Sequence, residues 1–368
     1  MRVVVVGAGI MGLCTAWALR RAGHEAAVYE QGPVPNPLAS SCDEHRLTRF
    51  TYGAMTNYAR MVHEADAAWD RLWTDLGRSH FRPTGTLAVA RAEDGWVVQS
   101  IRCLEAMGLP VETWSPHLLA ERLPFLHFEH ARFALFTPTG GVLFAKRILE
   151  DLGRWLTRHG VALHANVRIT GIDSDRAAIR TADGRTDRAD ALVIAAGPWA
   201  PHLLPALRGR IAPSRQVALY LEPPDEALPA WRAAPMVLDQ IEAARGGFYA
   251  VPPVDGTRLK VGDHGFSLQG HPDLERTPTE ADRTQALAVA RRRLVGFERY
   301  RTLDARTCFY SVTADERFIA EPLGRAWVLA GFSGHGFKFG AVIGEAVAEA
   351  LSGRRSATTV TAWAAGRA

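Results

Sequence analysis

Lysine is nearly missing from this chain: of 43 lysines and arginines, only Lys146, Lys260 and Lys338 are lysine. A sequence so biased toward arginine reserves lysine for places where a compact ammonium fits and a planar fork does not. Charge runs are missing too. The formal net charge of +4 is dispersed, with no block of five or six like charges, so a nucleic-acid partner has no footprint. Nor does any apolar stretch reach eighteen residues, and no charged segment precedes a removable apolar one. These absences predict a soluble, cytoplasmic protein with no membrane partner. The four cysteines, Cys14, Cys42, Cys103 and Cys308, lie far apart without CxxC spacing, so no metal site is predicted. Repeats and low-complexity tracts are absent as well. A chain of 368 residues with 47% hydrophobic content suits two domains.

What is present begins at once. Val3 to Val6 form a β-branched apolar run suited to a strand buried on both faces of a parallel sheet. Gly7, Ala8, Gly9, Ile10, Met11 and Gly12 then spell GxGxxG, and a helical pattern runs through Leu13, Ala16, Trp17 and Leu19 to Gly23. The three glycines serve a tight turn, close approach of backbone to a pyrophosphate, and close helix-to-strand packing. Helix N-terminal amides bind phosphate without help from side chains. A second strand, Ala26 to Tyr29, ends in Glu30, placed to accept hydrogen bonds from an adenosine ribose. Strand, glycine loop, helix, strand and acid within thirty residues predict dinucleotide binding, with FAD and NAD(P) both open at this point.

A proline- and glycine-rich loop, 31–38, leads to a polar segment holding Arg46 and Arg49, which share one side if it is helical. Residues 56–76 carry a helical pattern. Residues 81–91 read as a strand pair around Pro83-Thr84-Gly85, and 133–144 as strands interrupted at Thr139-Gly140-Gly141. Lys146 to His159 reads as a helix with Lys146 solvated. The apolar strand Ala191 to Ile194 runs into Ala195-Ala196-Gly197, small residues that let a cofactor approach. From 215 to 302, short strand-like runs between prolines and glycines predict an antiparallel sheet backed by a helix at Glu280 to Val295. The strand Trp327 to Ala330 and the loop 331–340 then repeat the strand, glycine loop and helix theme. The expected fold class is α/β (α+β overall): a Rossmann-like nucleotide domain of residues 1–80, 140–214 and 303–368, and a mainly antiparallel substrate domain of 81–139 and 215–302.

GFSGHGFKFG at 331–340, TCFYS at 307–311, LKVGDH at 259–264, the arginines Arg46 and Arg49, and GAGIMG at 7–12 together resemble the monomeric sarcosine oxidase and N-methyltryptophan oxidase group, within the D-amino-acid-oxidase-like FAD superfamily. The resemblance implies FAD along the first domain, held by Gly7, Gly9, Ile10, Met11, Gly12, Glu30, Ser40, Arg46, Val167, Gly197, Cys308, Gly334, Gly336, Phe337 and Lys338. It implies that Arg49 and Lys338 clamp a substrate carboxylate, orienting the amine carbon over flavin N5. Lys260 is matched to the lysine that promotes reaction with dioxygen, and Arg46 to an arginine beside the flavin ring. Cys308 is matched to a covalent thioether to the flavin. The resemblance further implies that Tyr249, His264 and Tyr310 line the substrate cavity, that Gly334 offers a carbonyl to the substrate amine, and that His264 assists its deprotonation. His335 is read as shaping the glycine loop.

The sequence departs from that group at Cys42, Asp43, Glu44 and His45, which leaves the substrate and the covalent attachment open. The expected activity is FAD-dependent oxidation of a carboxylate-bearing secondary amine, an N-methyl or cyclic amino acid. It comprises hydride transfer to flavin N5, imine hydrolysis and reduction of dioxygen to hydrogen peroxide. The rivals are a dehydrogenase that hands electrons to a quinone or carrier protein, and a noncatalytic flavoprotein subunit. A monomer or weak homo-oligomer is expected.

Overall fold

The computed structural model describes residues 1–239, 247–263 and 265–367. Strand β1 (Arg2–Val6) holds Val3 to Val6 at no more than 4% exposure, so its apolar run is buried on both faces. Helix α1 (Ile10–Arg21) is buried from Ile10 through Leu19 and ends before Gly23, whose φ of 83° only glycine adopts freely. Strand β2 (Glu25–Tyr29) lies parallel to β1.

These elements belong to a six-stranded sheet in the order Ile319–Leu323, Ala326–Ala330, Ala191–Ile194, β1, β2, Ala162–His164. All neighbours are parallel except the first pair. From β1 the chain moves to β2 on one side and only later returns to fill the other. Such a reversal opens a crevice at the carboxyl ends of the strands. On the helical side, α1 packs against Gly340–Leu351 so closely that a Cβ on Gly344 would lie 2.7 Å from the backbone of Cys14.

The second sheet has eight strands in the order Arg301–Val312, Ala212–Glu222, Leu259–Gly262, Phe248–Val251, Met236–Asp239, Thr86–Ala90, Phe133–Thr137, Glu112–Trp114. It is antiparallel except between Met236–Asp239 and Thr86–Ala90. Alternation along its strands separates two faces. Leu219, Leu221, Val237, Phe248, Ala250, Leu259 and Val261 enter one core, together with Val289 and Ala290 of the helix Glu280–Arg293. Tyr220, Met236, Leu238, Tyr249, Val251 and Lys260 face the other way, toward a cleft.

Three sequence expectations change. The segment with Arg46 and Arg49 is no helix: Arg46–Thr48 is a short strand pairing with Gly141–Leu143, which also pairs with Phe81–Arg82. Arg49 lies just past the end of that strand, and the two arginines reach the same cleft without a helix to align them. The run 81–91 is not a strand pair either. Gly85, at φ 74°, turns the chain so that Phe81–Arg82 joins this small sheet and Thr86–Ala90 the large one. The strands at 133–144 likewise divide between the two sheets. Finally, residues 303–312, assigned from sequence to the nucleotide half, run in the second sheet because the whole of Arg301–Val312 pairs with Ala212–Glu222. Lys146 is solvent-exposed as expected, and among the described residues no helix is long and apolar enough to cross a membrane.

The helix contact at Gly344 sets a test of the first domain. Gly344→Ala should lower unfolding stability by about 1–3 kcal/mol, because rigid backbone must move to admit one methyl group. Urea unfolding followed by circular dichroism measures this; an unchanged midpoint would contradict the close helix contact.

Candidate active site

A cleft enclosing about 1230 Å³, open to solvent, runs over the carboxyl ends of the first sheet. It is lined by Gly7, Gly9, Ile10 and Met11 at the start of α1, by Glu30, Ser40, Arg46, Val167 and Gly197, and by Tyr310, Gly334, Gly336 and Phe337. Two of the glycines are set by close packing. A Cβ on Gly7 would sit 2.4 Å from the Ala195 carbonyl oxygen, and one on Gly12 would sit 1.8 Å from that of Gly7. Gly12 is therefore a packing residue below the loop and does not line the cleft. Gly197, at φ 53°, has no atom within 4 Å of where its Cβ would be, leaving backbone bare on the cleft wall.

Glu30 is buried beneath the loop. Its carboxylate accepts from the Ala8 amide at 2.9 Å, the Gly32 amide at 3.1 Å and the Asn36 side chain at 2.9 Å. These bonds tie the glycine loop to the end of β2. Bare backbone, a helix N-terminus and a buried acid in one long crevice fit the adenosine and pyrophosphate of a dinucleotide.

A second cleft of about 1030 Å³ adjoins the first, and Ala39, Arg46, Tyr310, Gly334 and Phe337 line both. Its walls add Arg49, Tyr249, Lys260, Cys308, His335 and Lys338. Cys308 and Lys338, expected at the cofactor, line this second cleft and not the first. The Cys308 sulfur lies 3.9 Å from the Ser40 carbonyl oxygen and 4.0 Å from an Arg46 nitrogen. Gly334, at φ 77°, lies under the Tyr310 ring, where a Cβ would come within 2.5 Å. Burial raises the Tyr249, Tyr310 and Tyr52 phenols, so all three stay protonated hydrogen-bonding groups. His264 lies outside the described residues.

Lys338 is 3% exposed. Its Nζ donates to Tyr52 Oη at 2.8 Å and to the His335 carbonyl at 2.7 Å, and its own carbonyl accepts from Trp69 Nε1 at 2.7 Å. Arg49 donates to the Thr51 carbonyl, with its guanidinium 4.5 Å from the Tyr52 ring centre and 5.6 Å from that of Trp96. Among the described residues neither cation has a carboxylate within ion-pair distance, although the charge of Arg49 reaches Glu316. Burial, followed by the charge of Arg49, pushes the Lys338 ammonium well below its ordinary range. His335 is lowered by burial and by both cations; its ring nitrogens meet Tyr52 Oη at 3.2 Å and the Glu316 carbonyl at 3.1 Å, which holds the glycine loop in shape.

The sequence reading missed the role of one residue. Asp43 is the one carboxylate among the described residues lining the second cleft. Its Oδ2 meets Lys260 Nζ at 2.5 Å and also accepts from Arg46, while Oδ1 accepts from Tyr220 and from the Glu44 amide at 2.7 Å. Burial alone would raise this carboxyl, but Lys260 and Arg46 hold it well below its usual range. The only sequence signal was that Asp43 breaks the group's pattern. Beside it, burial pushes His45 down to about 4, leaving the imidazole neutral, with Nε2 3.2 Å from the Arg258 carbonyl.

The two clefts fit a dinucleotide-binding protein with a charged pocket beside the nucleotide crevice, and comparison with known proteins gives the class a name. Residues 2–350 match the model of the FAD dependent oxidoreductase family, and the chain belongs to that family. It is similar to N-methyl-L-tryptophan oxidase of Yersinia pestis (strain Pestoides F), 26% identical over 99% of this chain and 98% of that one. In fold it is similar to L-proline dehydrogenase from P. horikoshii, with a TM-score of 0.83, 21% identity and coverage of 100% and 96% of the two chains. A modified fructosyl peptide oxidase from Aspergillus nidulans gives a TM-score of 0.82 at 23% identity, covering 98% and 92%. The family and fold read from sequence are thus met, and the protein is an FAD-dependent oxidoreductase.

Glu30→Ala would leave the Ala8 and Gly32 amides without their acceptor, which costs about 1–3 kcal/mol for each buried donor. Flavin retention should weaken roughly tenfold or more, read as flavin content after gel filtration and as lower thermal stability. Full retention would mean that the loop holds its shape without the acid.

Proposed function

We propose that this enzyme oxidises a carboxylate-bearing secondary amine, an N-methyl or cyclic amino acid, with dioxygen as acceptor. The observation that carries the reading is the pair Arg49 and Lys338: two cations on the wall of the cleft beside the nucleotide crevice, with no carboxylate in contact with either among the described residues. A substrate carboxylate would supply the missing counter-charge through charge-assisted hydrogen bonds. N-methyl-L-tryptophan and L-proline, named in the relatives, are both amines of this class.

FAD, held by the glycine loop, Glu30, Ser40, Val167, Gly197 and the 334–337 turn, supplies the two-electron acceptor when bound. In the net reaction the amine loses two electrons with its C–H and N–H hydrogens, water adds across the resulting C=N bond, and dioxygen becomes hydrogen peroxide. Arg49 and Lys338 hold the carboxylate, so the amine end points toward Gly334, whose carbonyl accepts from it. Tyr249 and Tyr310 pack the substrate and exclude water. Lys260 and Arg46 favour negative charge at the boundary of the two clefts. We assign nucleotide binding to 1–80, 140–214 and 313–368, and the substrate wall chiefly to 81–139 and 215–312.

A second reading rests on the Lys260–Asp43 ion pair. An ammonium already compensated by a carboxylate gives less help to charge forming on dioxygen, which favours a quinone or carrier protein as acceptor. One experiment separates these readings. An anaerobic panel of N-methyl and cyclic amino acids should bleach the yellow protein, and admitted air should restore the colour with release of hydrogen peroxide. Bleaching with slow recovery in air and fast recovery with a quinone would favour the second reading; no bleaching by any amine would end both.

Lys338→Met should lower kcat/KM for the right amine roughly tenfold to a hundredfold, mostly through KM, at about 1.5–3 kcal/mol for a charged hydrogen bond. Bound carboxylate raises the Lys338 ammonium relative to the free site. Affinity is then full at lower pH and declines as pH rises through the bound-state value, and this decline should vanish in Lys338→Met. If the flavin is attached through Cys308, acid-precipitated protein is yellow and Cys308→Ser gives a colourless pellet; a colourless wild-type pellet rules out the bond.

A further inference from the structure

Asp43 does more in this site than complete the packing of the second cleft. Its side chain is 7% exposed, and its two oxygens receive four donors: Tyr220 and the Glu44 amide on Oδ1, Lys260 and Arg46 on Oδ2. A carboxylate has about four lone-pair directions, so this set leaves none for a substrate. The donors come from three separate parts of the chain. Lys260 stands directly opposite Tyr220 in the antiparallel pairing of Leu259–Gly262 with Ala212–Glu222, and both residues face the cleft because their neighbours along each strand enter the core. Asp43 lies across the end of that pair and joins it to Arg46, which lines both clefts.

We infer that Asp43 is a positioning residue for Lys260: its buried carboxylate fixes Nζ on the wall of the second cleft and keeps it an ammonium beside the cofactor crevice. Without Asp43, two cations, Lys260 and Arg46, would face each other out of water. Arginine does not give up its proton, so relief would come from Lys260 becoming a neutral amine. The other groups around Lys260 do not replace the lost charge. Tyr249 and Tyr220 present ring faces 5.8 Å and 6.0 Å from Nζ, and both phenols stay protonated. His45 is neutral, Arg306 adds a further cation to the same wall, and Glu44 is engaged with Arg258 at 2.6 Å and 2.8 Å. Cys308, whose sulfur lies 4.0 Å from an Arg46 nitrogen, supports the Lys260 charge less than Asp43 does. A lasting positive charge on Lys260 therefore depends chiefly on Asp43 among these groups.

Burial lowers the Lys260 ammonium from its ordinary value, and Asp43 opposes that lowering. Removing Asp43 thus moves the loss of the Lys260 proton to lower pH. The role given to that charge rests on the flavin lying in the first cleft, but the charge itself can be measured without the flavin.

The chain has only three lysines, so protein labelled with ¹³C at the lysine ε carbon gives three side-chain NMR signals, and the one missing in Lys260→Met is Lys260. In flavin-loaded wild-type protein this signal should titrate at alkaline pH. In Asp43→Asn it should titrate roughly one pH unit lower or more, in Asp43→Glu near the wild-type position, and exposed Lys146 should not move. An unchanged Lys260 titration in Asp43→Asn overturns the assignment. If that variant does not fold, Asp43→Ala repeats the measurement without a stranded amide; failure of both to fold makes Asp43 a structural residue and equally ends the proposal. The absorbance of the bound flavin, followed over the same pH range, reports separately on the cofactor. A Lys260 signal that moves as stated while the flavin spectrum ignores Lys260→Met would leave the Asp43–Lys260 link standing and remove the flavin from beside it.

Discussion

Charge taken out of water on one cleft wall is the constraint that organises this protein. Lys260, Arg46, Arg49 and Lys338 all line the second cleft, and among the described residues Asp43 is the only carboxylate there. Two unit charges about 4 Å apart at the effective dielectric of a protein interact by about 4 kcal/mol. With Arg306 on the same wall as well, five basic side chains face one carboxylate, which leaves it far from neutral. The deficit is uneven. Asp43 satisfies Lys260 and Arg46 at the boundary with the nucleotide crevice, while Arg49 and Lys338 are left to hydroxyl, carbonyl and aromatic partners. One end of the cleft is thus compensated by Asp43, and the other has no carboxylate in contact with its cations among the described residues.

Holding such a wall in place demands rigid support, and the second sheet provides it through simple alternation. Each inward cation or phenol sits between residues that anchor the opposite face: Lys260 between Leu259 and Val261, Tyr249 between Phe248 and Ala250, Tyr220 between Leu219 and Leu221. A register slip of one residue would exchange core for cleft along a strand, so burial of the leucines and valines also fixes where the charges point. Gly262 belongs to the same arrangement, since a Cβ there would meet the Tyr249 hydroxyl at 2.6 Å.

The nucleotide unit was legible in the sequence because its signals are local. Valines, glycines, helix and acid occur within thirty residues, and each has one physical reason to be there. The segment around Arg46 was not, because three residues of strand carry too little pattern and owe their form to Gly141–Leu143, nearly a hundred positions later. The strands at 81–91 and 133–144 were found, but their division between two sheets depends on partners that no local pattern names. Asp43 shows the limit most plainly. As a sequence letter it was a departure from the resembling group. Its meaning comes from Lys260 and Tyr220, 217 and 177 residues away, brought beside it by the fold.

The scarcity of lysine also gains a physical account. Lys260 and Lys338 are 7% and 3% exposed, whereas Lys146 lies on the surface. Arginine carries five donors in a rigid fork, and each must find an acceptor once buried. The sockets here offer fewer. Lys338 has one hydroxyl and one carbonyl, and Lys260 has one carboxylate oxygen that it shares with Arg46. An ammonium can meet such partners with one or two of its three protons and keep another for an incoming group, while a guanidinium would strand several. In a chain that otherwise chooses arginine, lysine survives at the two buried points where few acceptors converge.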